Sequence, residues 1–172
     1  MNHKTALLWS WLVWAMTFFM PDVSAIRRLR GVLYGMGMKG RGRNFQVSSN
    51  VIIRGLENLT VGDNVYLAPG VVVLAGDSIS LGNDVQVAFY CVLTDGNHTA
   101  NDGSYRFGAR AQSPIRIEAG SWIGSHVTVV AGVRIGSGVV IGANSVVTRD
   151  IPDGVLAAGV PAAILRDPSN RV

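Results

Sequence analysis

Between residues 117 and 147 the apolar positions recur every six residues. Ile117, Ile123, Val129, Ile135, Ile141 and Val147 are all β-branched aliphatics. Four positions after the first five of these come Ser121, Val127, Val133, Val139 and Ser145. A period of six fits neither the 3.6-residue helix nor a strand that simply alternates. It fits a coil of short strands joined by tight corners, each hexad supplying one flat face. Positions one and five of a hexad are an even number apart, so along an extended strand they point to the same side, the predicted interior. Val and Ile suit that role better than a helical one. The glycines after the aliphatics (Gly124, Gly136, Gly142) are expected at the corners, with positive φ where a turn demands it.

The same frame runs upstream. Val61, Leu67 and Val73 are six apart, as are Leu81, Val87 and Leu93, whereas Ile53 to Val61 and Val73 to Leu81 are steps of eight. RGRNFQV (41–47), VGDNVYL (61–67) and LGNDVQV (81–87) therefore align at a period of 20, and IEAGSWI (117–123) and IGSGVVI (135–141) at 18. Three hexads make one coil, which predicts a triangular cross-section with a two-residue bulge at one corner of each early coil.

Three stretches fall outside the pattern. Residues 6–20, ALLWSWLVWAMTFFM, form an apolar run too short for a full membrane span. It is open to three readings: a secretory signal with Val23-Ser24-Ala25 as its cleavage site, a helix lying at a membrane surface through Trp9, Trp11 and Trp14, or a helix packed on the solenoid. After Pro21 a short helix is expected, with Ile26, Leu29 and Leu33 on one face and its end among Gly35, Gly37 and Gly40. It is placed to cap the exposed end of the coils. Residues 94–116 are polar and rich in turn formers, and are expected to leave the scaffold as a long loop, the usual place for function. The chain thus divides into an N-terminal segment and cap (1–40), the coils (41–152) and a C-terminal cap (153–172), whose last residues DPSNRV are expected to fray.

Composition adds limits. Hydrophobic content is 48% with 15% charged residues, which suits a solenoid with a dry interior. The single cysteine, Cys91, excludes an intrachain disulfide framework and stands at an inward position, as a small buried hydrophobe would. The net charge of +4 comes with a cluster near the N-terminus (Arg27, Arg28, Arg30, Lys39, Arg41, Arg43), but no nucleic-acid-reading motif accompanies it. The three histidines include His3 outside the coils, so a three-His metal site, and with it a zinc carbonic anhydrase, is not expected. His126 reads as a structural or interface residue.

His98 is the strongest candidate for chemistry. It stands five residues after the inward Leu93, in the polar sequence DGNHT, and imidazole can take a proton from a hydroxyl and return it near neutral pH. Asp95 or a backbone carbonyl would orient its other nitrogen.

Taken with the coil pattern, the DGNHT loop and the Trp122-Ile123-Gly124-Ser125 turn, the chain resembles the hexapeptide-repeat acyltransferases over roughly residues 41–166. The resemblance implies an all-β, left-handed parallel β-helix; the left hand comes from the family, since ordinary parallel crossovers are right-handed. It implies an O-acetyltransferase that uses acetyl-CoA and no metal, with His98 as general base acting without a covalent intermediate. Ser125 would be a backbone oxyanion donor, and Trp122 and Asp95 would belong to the acceptor region. Gly142 and Ala143 would contact the pantetheine arm, Thr148 and Arg149 the adenosine end, and Arg166 a phosphate. The site would lie between copies of a homotrimer. Two departures stand out: Ala163 replaces a basic position, and Ala68 replaces an acceptor-binding Asn of galactoside and maltose acetyltransferases. With the apolar N-terminus, the second departure directs the expectation to a surface polysaccharide or its lipid-linked precursor, acetylated in the cytoplasm at the inner membrane face with residues 6–20 in peripheral association. N-acetylation of an amino-sugar nucleotide and a non-catalytic scaffold are the alternatives.

Overall fold

The computed structural model describes residues 2–166. Nearly all of the chain from Gly40 onward winds into three parallel ladders that form the faces of a prism. The first face stacks Gly40–Arg41, Leu59–Val61, Ile79–Leu81, Ile115–Ile117 and Arg134–Ile135. The second stacks Gln46–Val47, Tyr66–Leu67, Gln86–Val87, Trp122–Ile123, Val140–Ile141 and Leu156–Ala158. The third stacks Ile52–Arg54, Val72–Leu74, Val92–Thr94, Thr128–Val129 and Val146–Val147. Register follows the sequence periods: Gln46 pairs with Tyr66 and Tyr66 with Gln86, while Trp122 pairs with Val140.

The hexad aliphatics face inward as the spacing predicts, and Ile123, Val129, Ile135 and Val147 are fully buried. Each such side chain contributes about 1.5–3 kcal/mol of transfer free energy. Two interior positions are serines, and both are satisfied. Ser121 Oγ donates to the Gly136 carbonyl (2.7 Å) and accepts from Val139 N; Ser145 Oγ donates to the Gly142 carbonyl (2.6 Å) and accepts from Gly159 N.

The corners divide their labour differently from the sequence expectation. Gly124, Gly136 and Gly142 do not have positive φ. They are needed because the next coil passes close by: a Cβ on Gly124 would sit 2.6 Å from the Ile141 carbonyl oxygen. Many of the left-handed turns are instead made by Asn or Asp, including Asn44, Asn64, Asp84 and Asn144, whose short polar side chains tolerate that region. Asn44, Asn64 and Asp84 also form a ladder along one edge, at 3.0 and 2.8 Å.

The extra residues of the 20-residue coils sit at the corner between the third and first faces. In the first coil they form a 3₁₀ turn, Leu56–Asn58. In the third coil the same corner carries the polar stretch expected as a loop. It is an ordered arm, in which Gly96–His98 pairs antiparallel with Arg110–Gln112. The alternation that marks a half-buried strand is missing because Arg110, Ala111 and Gln112 are all exposed. The arm ends before Ile115, which already belongs to the first face.

At the N-terminus, α1 (His3–Thr17) packs on the third face of the first coil, and α2 (Ser24–Gly35) packs on Gln46–Val47. Asn2 caps α1 through Thr5 N, Ser10 Oγ donates to the Ile53 carbonyl, and Trp9 Nε1 donates to Leu33 O at 2.8 Å. Only Ala6, Ser10, Val13 and Thr17 of α1 are buried; Leu8, Trp11 and Met16 face outward. No helix among the described residues is long and apolar enough to cross a membrane. Buried Arg30 joins the two helices, donating to Asp22 (2.8 Å) and to the carbonyls of Thr17 and Met20. At the other end the parallel ladder continues past Pro152, and Ala163–Arg166 folds back antiparallel on Leu156–Ala158. The terminal sequence DPSNRV and the Arg166 side chain lie outside the described residues.

Candidate active site

His98 closes the first strand of the arm, directly opposite Arg110. Its ring is exposed and makes no hydrogen bond among the described residues. It lines a cavity of about 320 Å³ together with Asp95, Asn97, Arg110, Gly76 and Arg54, and α1 adds His3 and Leu7. A polar pocket with one free imidazole and cationic neighbours can take up a hydroxyl-bearing molecule and accept its proton.

Asp95 occupies the base of the arm and is buried. The carboxylate is turned away from the role offered to it as partner of the imidazole. Oδ1 accepts from Gly76 N (2.8 Å), and Oδ2 accepts from Asp77 N (2.8 Å) and Ser78 N (2.9 Å). It ties the arm to the corner of the preceding coil, which fixes where His98 stands. A carboxylate held by backbone amides is a strong anchor because each bond is charge-assisted.

Trp122, Ser125, Gly142 and Ala143 lie elsewhere. Trp122 is half exposed on the second face. Ser125 and Ala143 occupy successive coils at the corner between the second and third faces, where Asn144 N donates to Ser125 O at 2.9 Å. Among the described residues the Ser125 amide donates to no carbonyl. The same peptide group is held from behind: the buried Cys91 thiol donates to Gly124 O at 2.9 Å. Burial pushes that thiol above its ordinary pKa, so it remains a neutral donor at pH 7. Sequence reading gave Cys91 packing alone, because nothing in the spacing shows which carbonyl it meets. His126, next to Ser125, stacks on Tyr90 at 5.3 Å.

Thr148 and Arg149 are exposed beyond the end of the third face, on the same corner column as the arm but further along the prism. One copy of the chain therefore gathers Asp95 with His98 at one corner, and Ser125 with Gly142 and Ala143 at another. Among the described residues no group of three His, Cys, Asp or Glu side chains is placed to hold a metal ion.

Comparison with known proteins places this geometry. Residues 114–149 match the family described as bacterial transferase hexapeptide (six repeats). The galactoside O-acetyltransferase of Escherichia coli K12 is 37% identical over 130 residues, 76% of this chain and 54% of that protein. The putative lipopolysaccharide biosynthesis O-acetyl transferase WbbJ of the same strain is 36% identical over 123 residues, 64% of this chain and 58% of that one. The chain thus spans little more than half the length of these relatives. In three dimensions it matches a galactoside acetyltransferase in complex with coenzyme A, with a TM-score of 0.83, 27% identity, and coverage of 96% of this chain and 82% of that one. A hexapeptide-repeat acetyltransferase of Vibrio cholerae complexed with acetyl-coenzyme A shares the fold, with a TM-score of 0.81 at 24% identity over 95% of this chain and 87% of the other. The fold is the left-handed parallel β-helix.

Proposed function

The chain belongs to the hexapeptide-repeat family, and from that premise we propose that it transfers the acetyl group of acetyl-CoA to a sugar hydroxyl. His98 takes the hydroxyl proton on its free Nε2. The oxygen forms a bond to the thioester carbonyl carbon, and the carbonyl oxygen takes up the negative charge against the Ser125 amide. The carbon–sulfur bond then breaks, and His98 returns the proton to the leaving thiolate. No enzyme-bound acyl group is needed.

The observation that carries this reading is the unbonded His98 ring on the rim of a polar pocket, on an arm fixed by Asp95. The separation of His98 and Ser125 onto different corners of one copy supports a site completed by a neighbouring copy, and hence a homotrimer. In that arrangement Gly142 and Ala143 of one copy line the acetyl-CoA groove, Thr148 and Arg149 reach its adenosine end, and Trp122 belongs to the acceptor region. The relatives named as a galactoside O-acetyltransferase and a putative lipopolysaccharide biosynthesis O-acetyl transferase support a glycan acceptor. Acetyl-CoA is made and kept in the cytoplasm, which supports action there, at the inner membrane face if the acceptor is lipid-linked.

The test is acetyl-CoA binding by calorimetry, with wild type and His98→Ala side by side. Both should bind with one site per chain, while turnover on an accepted sugar falls about 10²–10⁴-fold in the variant. A folded protein that binds no acetyl-CoA would sink the reading.

A further inference from the structure

Beside the His98 pocket lies a larger cavity of about 590 Å³, between α1 and the third face of the first coil. Its walls are mostly apolar, with Leu8, Trp11, Trp14 and Ile52 prominent, and Leu8, Trp11 and Ile52 are substantially exposed in its absence of cover. Among the described residues no acidic side chain lines it. Its two cations are Lys4 and Arg54. Leu7 and Arg54 line this cavity and the His98 pocket alike, so the two adjoin at those side chains. Trp14 presents the apolar body of its ring to the groove, and its indole N–H is buried without a hydrogen-bond partner among the described residues.

We propose that this groove is the binding site for an apolar chain attached to the acceptor through a phosphate, so that the sugar reaches His98 while the chain lies along α1. The order of chemistry along the two adjoining cavities matches such a molecule: apolar walls with Lys4 among them, then Arg54, which both share, then the polar pocket. A phosphate at the junction meets a guanidinium that can bind two of its oxygens. The cavity is in the size range of small-molecule sites. Its position also explains why α1 keeps Trp11 and Leu8 uncovered when Ala6, Ser10 and Val13 already dock it on the coil. The sugar end of this assignment rests on the transferase reading; the groove itself does not.

The probe is monomeric dodecyl phosphate below its micelle concentration, with dodecyl glucoside and inorganic phosphate as comparators, titrated into the full chain. Binding is read by tryptophan emission, since Trp11 and Trp14 line the groove, and by calorimetry. Expected is saturable binding with one site per chain and a blue shift. Arg54→Glu should weaken dodecyl phosphate at least tenfold and dodecyl glucoside much less. Ile52→Asp should abolish both, with the circular dichroism spectrum and oligomeric state retained. Absence of saturable binding, or wild-type binding by Ile52→Asp, overturns the proposal. So does dissociation of the oligomer in Ile52→Asp without dodecyl phosphate binding in the wild type, which would make the groove a contact between copies. Binding to anionic vesicles but not to the monomeric probe would also overturn it in favour of a membrane-docking face. Acetyl-CoA binding on the same samples separates the two readings: loss of that binding alone retires the transferase, and loss of dodecyl phosphate binding alone retires the groove.

Discussion

Single residues decide how firmly the candidate site is held. Asp95 receives three backbone amides while buried at the base of the arm. Asp95→Ala strands those donors and should cost about 2–3 kcal/mol of stability, with turnover falling more than acetyl-CoA affinity because the arm that carries His98 loosens. Thermal melting and steady-state kinetics on the same variant check both parts. Cys91 acts on the other half of the chemistry, through the peptide group whose N–H belongs to Ser125. Cys91→Ala should lower kcat several-fold with little change in the KM for acetyl-CoA, whereas Cys91→Ser, which keeps a donor, should recover part of the loss. Tyr34 sets a limit in alkali. Burial pushes its phenol up to about 12, against the opposing pull of Arg30. Its folded pKa lies above the unfolded value of about 10, so its stabilising contribution is complete below pH 10 and is lost as pH rises toward 12. Urea midpoints measured from pH 9 to 11.5 should fall in the wild type and flatten in Tyr34→Phe.

At the scale of elements, the corners show which glycines the coil requires. At Gly124 an added Cβ meets the Ile141 carbonyl at 2.6 Å and Ala143 N at 2.8 Å, whereas at Gly96 it meets nothing within 4 Å. Gly124→Ala should therefore destabilise the chain by more than 2 kcal/mol, and Gly96→Ala should stay within about 0.5 kcal/mol of wild type; denaturant midpoints distinguish them. The coil itself was readable because a buried stripe of aliphatics at a fixed six-residue spacing leaves a strong signal. The arm was readable only as a polar interruption. Its strands bury neither face, so no alternation marks them, and their pairing depends on the Asp95 anchor and on contacts such as Thr99 N to Ala109 O at 2.9 Å. The apolar run at the N-terminus left three readings open because hydrophobicity alone does not say what a helix faces. The structure shows α1 docked by one narrow stripe, with Leu7, Leu8, Trp11 and Trp14 bordering a groove.

For the whole molecule, the prism sets His98 and Ser125 on different corners, which makes a site shared between copies testable by complementation. His98→Ala and Ser125→Pro, the latter lacking the amide hydrogen, should each be inactive alone. Mixed oligomers refolded together should regain activity if the two groups come from different copies, and none if they come from one. The sequence by itself determined the triangular coil, its inward residues and the place where an arm leaves it, because each is written in local spacing and β-branched character. It also singled out His98, since a histidine in a polar break of a regular scaffold is visible without coordinates. Only the tertiary structure decided that Asp95 holds the arm and not the imidazole, that Cys91 backs the Ser125 peptide, and that an apolar groove along α1 adjoins the His98 pocket at Leu7 and Arg54. Those facts depend on which backbone atoms of distant coils come within hydrogen-bond or van der Waals range, and stacking in three dimensions sets those distances while the spacing along the chain leaves them undetermined.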